Sequence, residues 1–193
     1  MSHHPLVEDA AEGRLPSWAV AGEDRRAHMA RVADLLGAWA AELGLSTAQV
    51  VRWRAAGHLH DVLRDADPEG LRGRVPPALQ DLPDALLHGP AAAERLRVEG
   101  VDDGELLTAI AHHTVGSPGF RRLGRALYAA DFLEPGRSFR PEWRAGLRER
   151  MPHELDAVAL EILGARIAHR VESGGALLPK TVEFWNRLVE EGA

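Results

Sequence analysis

Asp131 falls four residues after Leu127 and eight after Leu123, so on a helix it shares their apolar face and points inward. An unpaired buried carboxylate is costly, and a protein neutralises it, pairs it or gives it a metal ion. Histidines recur in comparable positions. His28 stands directly before Met29 and four residues before Val32; His60 and Asp61 are adjacent, one turn after Gly57; His88 opens a helix just before Gly89; His113 continues Leu106 and Ile110 at helical spacing. One inward histidine taken alone is more commonly a hydrogen-bonded core residue. Several buried imidazoles and two buried carboxylates are costly as independent core residues, whereas one shared metal centre satisfies them together. With no cysteine in the chain, such a centre has only nitrogen and oxygen ligands, and disulfides, thiolate zinc sites and cysteine nucleophiles are excluded.

The elements that must carry these residues are all helical. Met29, Val32, Ala33, Leu36, Ala40 and Leu43 predict a first long helix over 23–43, ended by Gly44. Ser46 or Thr47 caps a second, running through Val50, Trp53 and Gly57 to about Leu63 and carrying His60 and Asp61; the missing side chain of Gly57 lets another helix come close. Residues 69–83, with Gly70, Gly73 and three prolines, read as a short helical turn followed by loop. A helix then begins near Leu87 to Pro90 and closes at Gly100, and another is capped by Asp102 or Asp103 and carries His113. The Asp131 helix ends at Pro135 and Gly136, and three more follow: a short one to Met151, one over 153–172 and one over about 181–191. No stretch alternates as a strand. The expected fold is all-α, a single-domain helical bundle with a metal centre between helices, over residues 23–193. Residues 1–22 are weakly patterned and read as an N-terminal arm, a mobile tip followed by a segment that tucks Trp18 onto the body, with His3 and His4 playing no part.

Length and composition set the outer limits. The chain has 193 residues, 45% hydrophobic and 27% charged, which suits one soluble globular domain. A net charge of −6 argues against a nucleic-acid surface while allowing a local basic pocket for a phosphorylated small molecule. Met1 to Gly13 has no basic segment leading into an apolar run, and no window approaches a membrane-spanning length, so a cytoplasmic location without a membrane partner is expected. A homodimer is left open.

The ordered set His28, His60-Asp61, His88, His113, Asp131 resembles the HD-domain superfamily of metal-dependent phosphohydrolases, named for its adjacent His-Asp pair. Arg25-x-x-His28, Ala56-Gly57-x-x-His60-Asp61, Leu87-His88-Gly89, Ala109-Ile110-x-x-His113-Thr114-x-Gly116 and Ala130-Asp131-Phe132-Leu133-Glu134-Pro135-Gly136-Arg137 narrow it to the YqeK-type branch. With a weaker match at Thr181-x-x-x-x-Asn186, the resemblance covers roughly residues 23 to 188. Members of that branch are symmetrical diadenosine tetraphosphate hydrolases that release two ADP and have been linked to a di-iron centre. The resemblance implies an HD-type helical bundle in which His28, His60, Asp61 and Asp131 hold one metal, and His88 and His113 hold a second with Asp61 bridging. It implies two divalent ions, iron first, with manganese, zinc or magnesium as alternatives. Where the branch usually has a lysine three residues after the His-Asp pair, this chain has Arg64, a planar fork in place of a point charge. His58 and Phe120 stand where an apolar residue and a methionine are usual.

The implied chemistry is attack on phosphorus by a hydroxide held between two metals, with Asp61 and Arg64 as the catalytic pair. Arg25, Arg64 and Arg137 are the candidate phosphate contacts, with Thr114 beside them. Each has a structural alternative. Arg25 could be solvated, Arg64 could pair with Asp65 or Asp67, Arg137 could cap the carbonyls of the Asp131 helix, and Thr114 could bond its own backbone. Glu134 could orient a ligand or pair with Arg137. His112 points about 100° away from His113, which makes it the weaker ligand; His58, His153 and His169 read as structural or solvated. Four functions compete: diadenosine tetraphosphate hydrolase, a phosphohydrolase of other nucleoside mono- or polyphosphates, a non-catalytic nucleotide sensor, and an oxygen-using di-iron enzyme.

Overall fold

A computed structural model describes residues 3–192, which form ten α-helices and no strand. The expected tip at Met1 and Ser2 lies outside them. Residues 5–11 hold a helix that the sequence reading did not anticipate. In α1 (Pro5–Ala11), Pro5 starts the helix and the His4 ring accepts from the Leu6 amide, so His4 is a cap; His3 donates from Nε2 to the Ala48 carbonyl at 2.7 Å. Seven residues are too few for periodicity to register or for a helix to stand alone. What holds it is tertiary burial of Val7, Ala10 and Ala11 against the core. Trp18 packs on the core as expected, with the Arg95 guanidinium over its ring.

Helix α2 (Glu23–Glu42) packs along α3 (Thr47–Leu59). Ser46 starts α3 with a capping box: its hydroxyl accepts from the Gln49 amide, and the Gln49 side chain accepts from the Ser46 amide. The contact with α2 is closest at Gly57. A β-carbon there would stand 2.5 Å from the Ala33 nitrogen and nearer still to its α-carbon, so only glycine permits this approach.

Helix α3 ends at Leu59 rather than near Leu63, and His60 is its C-cap. Beyond it the chain tightens into three-residue turns, the Arg64 backbone amide donating to the Asp61 carbonyl, while the backbone engages the arm: the Val20 amide donates to the Val62 carbonyl and the Asp65 amide to that of Val20. These bonds draw residues 61–65 out of the helix, so Asp61 sits in a turn.

Helix α4 (Pro68–Arg72) and two short 3₁₀ turns lead to α5 (His88–Val98), which packs on α6 (Gly104–His112). A β-carbon on Gly89 would lie 2.8 Å from the Ile110 carbonyl, and this proximity brings His88 beside His113. Helix α7 (Arg122–Leu133) is buried almost all round and touches α2, α3, α6 and α9, so it is the centre of the bundle. Helices α8 (Pro141–Arg150), α9 (Leu155–Glu172) and α10 (Pro179–Glu190) complete it.

Candidate metal centre

The side chains of His28, His60, Asp61, His88, His113 and Asp131 converge from α2, the end of α3, α5, the end of α6 and α7. His28 Nε2 lies 3.1 Å from Asp131 Oδ1 and 3.3 Å from His60 Nε2. On the other side, His88 Nε2 lies 3.2 Å from His113 Nε2. Asp61 stands between the two groups. Its Oδ2 faces His28 at 3.8 Å and His60 at 3.6 Å, while its Oδ1 faces His88 at 3.1 Å and His113 at 3.4 Å.

Hydrogen bonds fix which imidazole nitrogens are free. A carbonyl can only accept, so His60 and His113 carry protons on Nδ1, donating to Gly57 and Ile110, each at 2.8 Å. His28 donates from Nδ1 to Glu134 at 3.1 Å. His60, with its proton on Nδ1, therefore turns a bare Nε2 lone pair toward His28 Nε2 at 3.3 Å, beside the Asp61 and Asp131 carboxylates, a convergence of donor atoms that suits a cation. The residues present fit two divalent ions: imidazole nitrogens and carboxylate oxygens suit iron, manganese or zinc, and one carboxylate offers an oxygen to each half.

Burial pushes the His60 imidazole down to about 4, with Asp61 opposing, so it stands in its ligating neutral form at pH 7. His88 is also lowered, chiefly by burial; His113 is raised, because the facing Asp61 carboxylate more than reverses its burial. For both carboxyls burial acts upward, but the imidazoles outweigh it and hold Asp61 and Asp131 well below the usual range, so both are anionic. Asp131 keeps 15% of its side chain exposed and so meets a cavity.

That cavity, about 310 Å³, has Asp61, His88, His113 and Asp131 at its base and Arg25, Arg64, Arg137, Arg144 and Arg166 in its walls. Arg25 donates to Asp61 Oδ2 at 2.7 Å and remains 28% exposed. Arg64 makes no side-chain hydrogen bond to any described residue; Asp65 instead accepts from the Gly22 amide. Arg137 binds Asp131 Oδ1 at 2.9 Å, and the Leu133 carbonyl at the end of that helix is taken by Arg148 at 2.7 Å. The Thr114 hydroxyl lies 3.0 Å from His113 Nε2 and does not bond its own backbone.

Glu134 is buried and faces both His28 and Arg31, the latter at 2.5 Å, so it orients a cluster histidine. A Glu134→Gln protein is expected to lose about 10- to 100-fold in affinity for the metal beside His28, read by competition with a chromogenic chelator.

Three arginines of the site escaped the sequence reading. Arg31 lies one turn after His28 on the same helix face, a spacing that could have found it. Arg166 follows Val158 and Ile162 at four-residue intervals, a charge on an apolar stripe as Asp131 is. Arg144 gave no such sign. It is buried over the Phe132 ring, 3.9 Å from the centroid, donates from Nε to the Phe139 carbonyl, and its Nη1 has no partner among the described residues.

A family model described as the HD domain matches residues 25–159, and the chain belongs to the HD domain family. A Halalkalibacterium halodurans protein named symmetrical bis(5'-nucleosyl)-tetraphosphatase is 29% identical over 142 residues, 70% of this chain and 75% of that one. A Bacillus subtilis protein of the same name is 41% identical over 69 residues, 35% of this chain and 37% of the relative. Among solved structures, a predicted HD superfamily hydrolase involved in NAD metabolism from Clostridium acetobutylicum superposes with a TM-score of 0.77 at 26% identity, over 99% of both chains. No helix among the described residues is long and apolar enough to cross a membrane.

Proposed function

We propose that this HD-domain hydrolase cleaves a nucleotide phosphoanhydride, with diadenosine tetraphosphate as substrate and two ADP as products. The observation that carries the reading is Asp61, one oxygen toward each half of the cluster, beneath a cavity walled by five arginines. The names of the relatives support the same bond and substrate. When bound, two divalent ions would supply positive charge for the phosphate oxygens and an acidified water as nucleophile. Asp61 and Asp131, both anionic, with the four imidazoles, would hold those ions at the base of the cavity.

The remaining work falls to the arginines. A tetraphosphate chain carries about four negative charges, and charge-assisted hydrogen bonds from Arg25, Arg64, Arg137, Arg144 and Arg166 would neutralise them and fix the chain's register. Water adds to one of the central phosphorus atoms, the bridging oxygen between the central pair leaves, and each half departs as ADP. Arg64, unpartnered among the described residues, is free to meet the oxygens on which charge develops, and Thr114 borders the same space. The Arg64→Ala protein is expected to lose about 10²- to 10³-fold in kcat/KM with its metal content intact. Arg64→Lys restores most of that loss if charge matters more than fork geometry. Steady-state kinetics on both variants with elemental analysis checks this.

The function itself is tested by incubating metal-loaded protein with diadenosine tetraphosphate and other nucleotides and separating the products by ion exchange. Two ADP is the expected result. ATP plus AMP, or no product, would contradict it.

A further inference from the structure

Two further clefts border the arginine-lined cavity, and Arg166 lines all three. The first, about 360 Å³, is aliphatic, formed by Leu86, Val115, Leu163, Ile167 and Leu178, and joins the cavity through Ala85 and Thr114. The second, about 470 Å³, is aromatic, formed by Phe132, Phe139 and Trp143 with Ala168 and His169, and joins it through Phe132. At 100° per residue, Leu163, Ile167 and Arg170 occupy one face of α9, while Ala165, Ala168, His169 and Glu172 occupy a face roughly 180° away. Arg166 falls between them. Its Nη2 donates to the Thr114 carbonyl at 2.7 Å and its guanidinium lies over the Tyr128 ring, so it is held at the junction.

We infer that these two clefts are the nucleoside subsites, each receiving a purine nucleoside from one end of a substrate whose phosphates cross the cavity past Arg166. The inference rests on the reading above that the substrate carries a nucleoside at each end. The match is one of chemical pattern, since a molecule with an uncharged aromatic base at each end and a polyanionic chain between meets a surface with a largely apolar cleft on each flank and arginines between. Phe139 is 67% exposed, Trp143 stands edge-on to Phe132, and Arg140 covers the Trp143 ring at 5.0 Å. Arginines already lie over Phe132 and Trp143, so the exposed Phe139 is the ring left for stacking of a base. Both volumes lie within the roughly 300–1,000 Å³ of small-molecule clefts.

Ala168 and Ala176 are exposed, one in the wall of each cleft, so tryptophan at either fills the space without entering the core. Ala168→Trp and Ala176→Trp are each expected to raise KM for diadenosine tetraphosphate about tenfold, or 1.4 kcal/mol. Inorganic tetrapolyphosphate, which has no nucleoside, should inhibit both variants as it inhibits the wild type. An unchanged KM in either variant, or inhibition weakened in parallel with KM, would overturn the subsites while leaving the tetraphosphatase reading intact. A wild type that leaves diadenosine tetraphosphate whole would remove that reading and the subsites together. Should a tryptophan variant melt early, Phe139→Ala and Ile167→Ala put the same question by deletion, with the same readings.

Discussion

An Asp61→Ala protein is expected to bind neither metal with useful affinity, and to lose hydrolysis by at least about a thousandfold, the several kcal/mol that metal ions contribute to such reactions. The expectation follows from the position of the two carboxylate oxygens. Oδ2 is the atom of Asp61 that faces His28 and His60, and Oδ1 is the atom that faces His88 and His113. Deleting both leaves each half short of a negative ligand, with the second half reduced to two neutral imidazoles. Asp61→Asn separates bridging from simple charge loss, because the amide keeps one oxygen and presents an NH₂ group to the other half, so at most one metal should remain. Elemental analysis after gel filtration reads both variants. Two metals retained in Asp61→Ala would refute a shared ligand.

The second large effect is on stability. Gly57→Ala should cost at least the upper end of the roughly 1–3 kcal/mol typical of overpacking, because the new methyl meets the Ala33 backbone and not the end of a flexible side chain. For a chain of this size that lowers Tm by about 6–12 °C. The damage should reach the metal centre as well. His60 lies three residues after Gly57 and His28 five before Ala33, so any parting of α2 from α3 separates their Nε2 atoms, now 3.3 Å apart. Gly146 is the control. It sits in α8 with no described atom within 4 Å of its would-be β-carbon, so Gly146→Ala should stabilise by about 0.5–1 kcal/mol. Calorimetry on both variants, with and without metal, distinguishes the outcomes.

Gly57 also marks how far a sequence can be read. Its place one turn before His60, on a helix otherwise rich in larger residues, announced a close helix crossing, and the crossing is there. Asp131 and the four cluster histidines stood out because apolar periodicity makes a polar residue on the buried face conspicuous, and the structure brings those five side chains together around Asp61. Periodicity was silent where structure depends on distant partners. Helix α1 exists because α3 covers it, and Asp61 leaves the helix because its turn bonds to the arm at Val20. Arg144 lies in a run of charges on α8 that looks solvated, yet the fold carries it over the Phe132 ring and into the wall of the cavity. Glu134 could be read two ways, and the choice between them required knowing that His28 lies beside it, 106 residues away.

The central claim is one centre of two metals, joined through Asp61, that divides a dinucleoside tetraphosphate at its middle. It is tested most directly by stripping the protein with a chelator and returning metal in measured equivalents, with bound metal and ADP quantified at each addition. The account predicts no ADP from the stripped protein and a rise to full rate only as the second equivalent per chain is taken up, with two ADP formed per substrate consumed. Full activity in the stripped protein, or saturation of both binding and rate at a single equivalent, would contradict it.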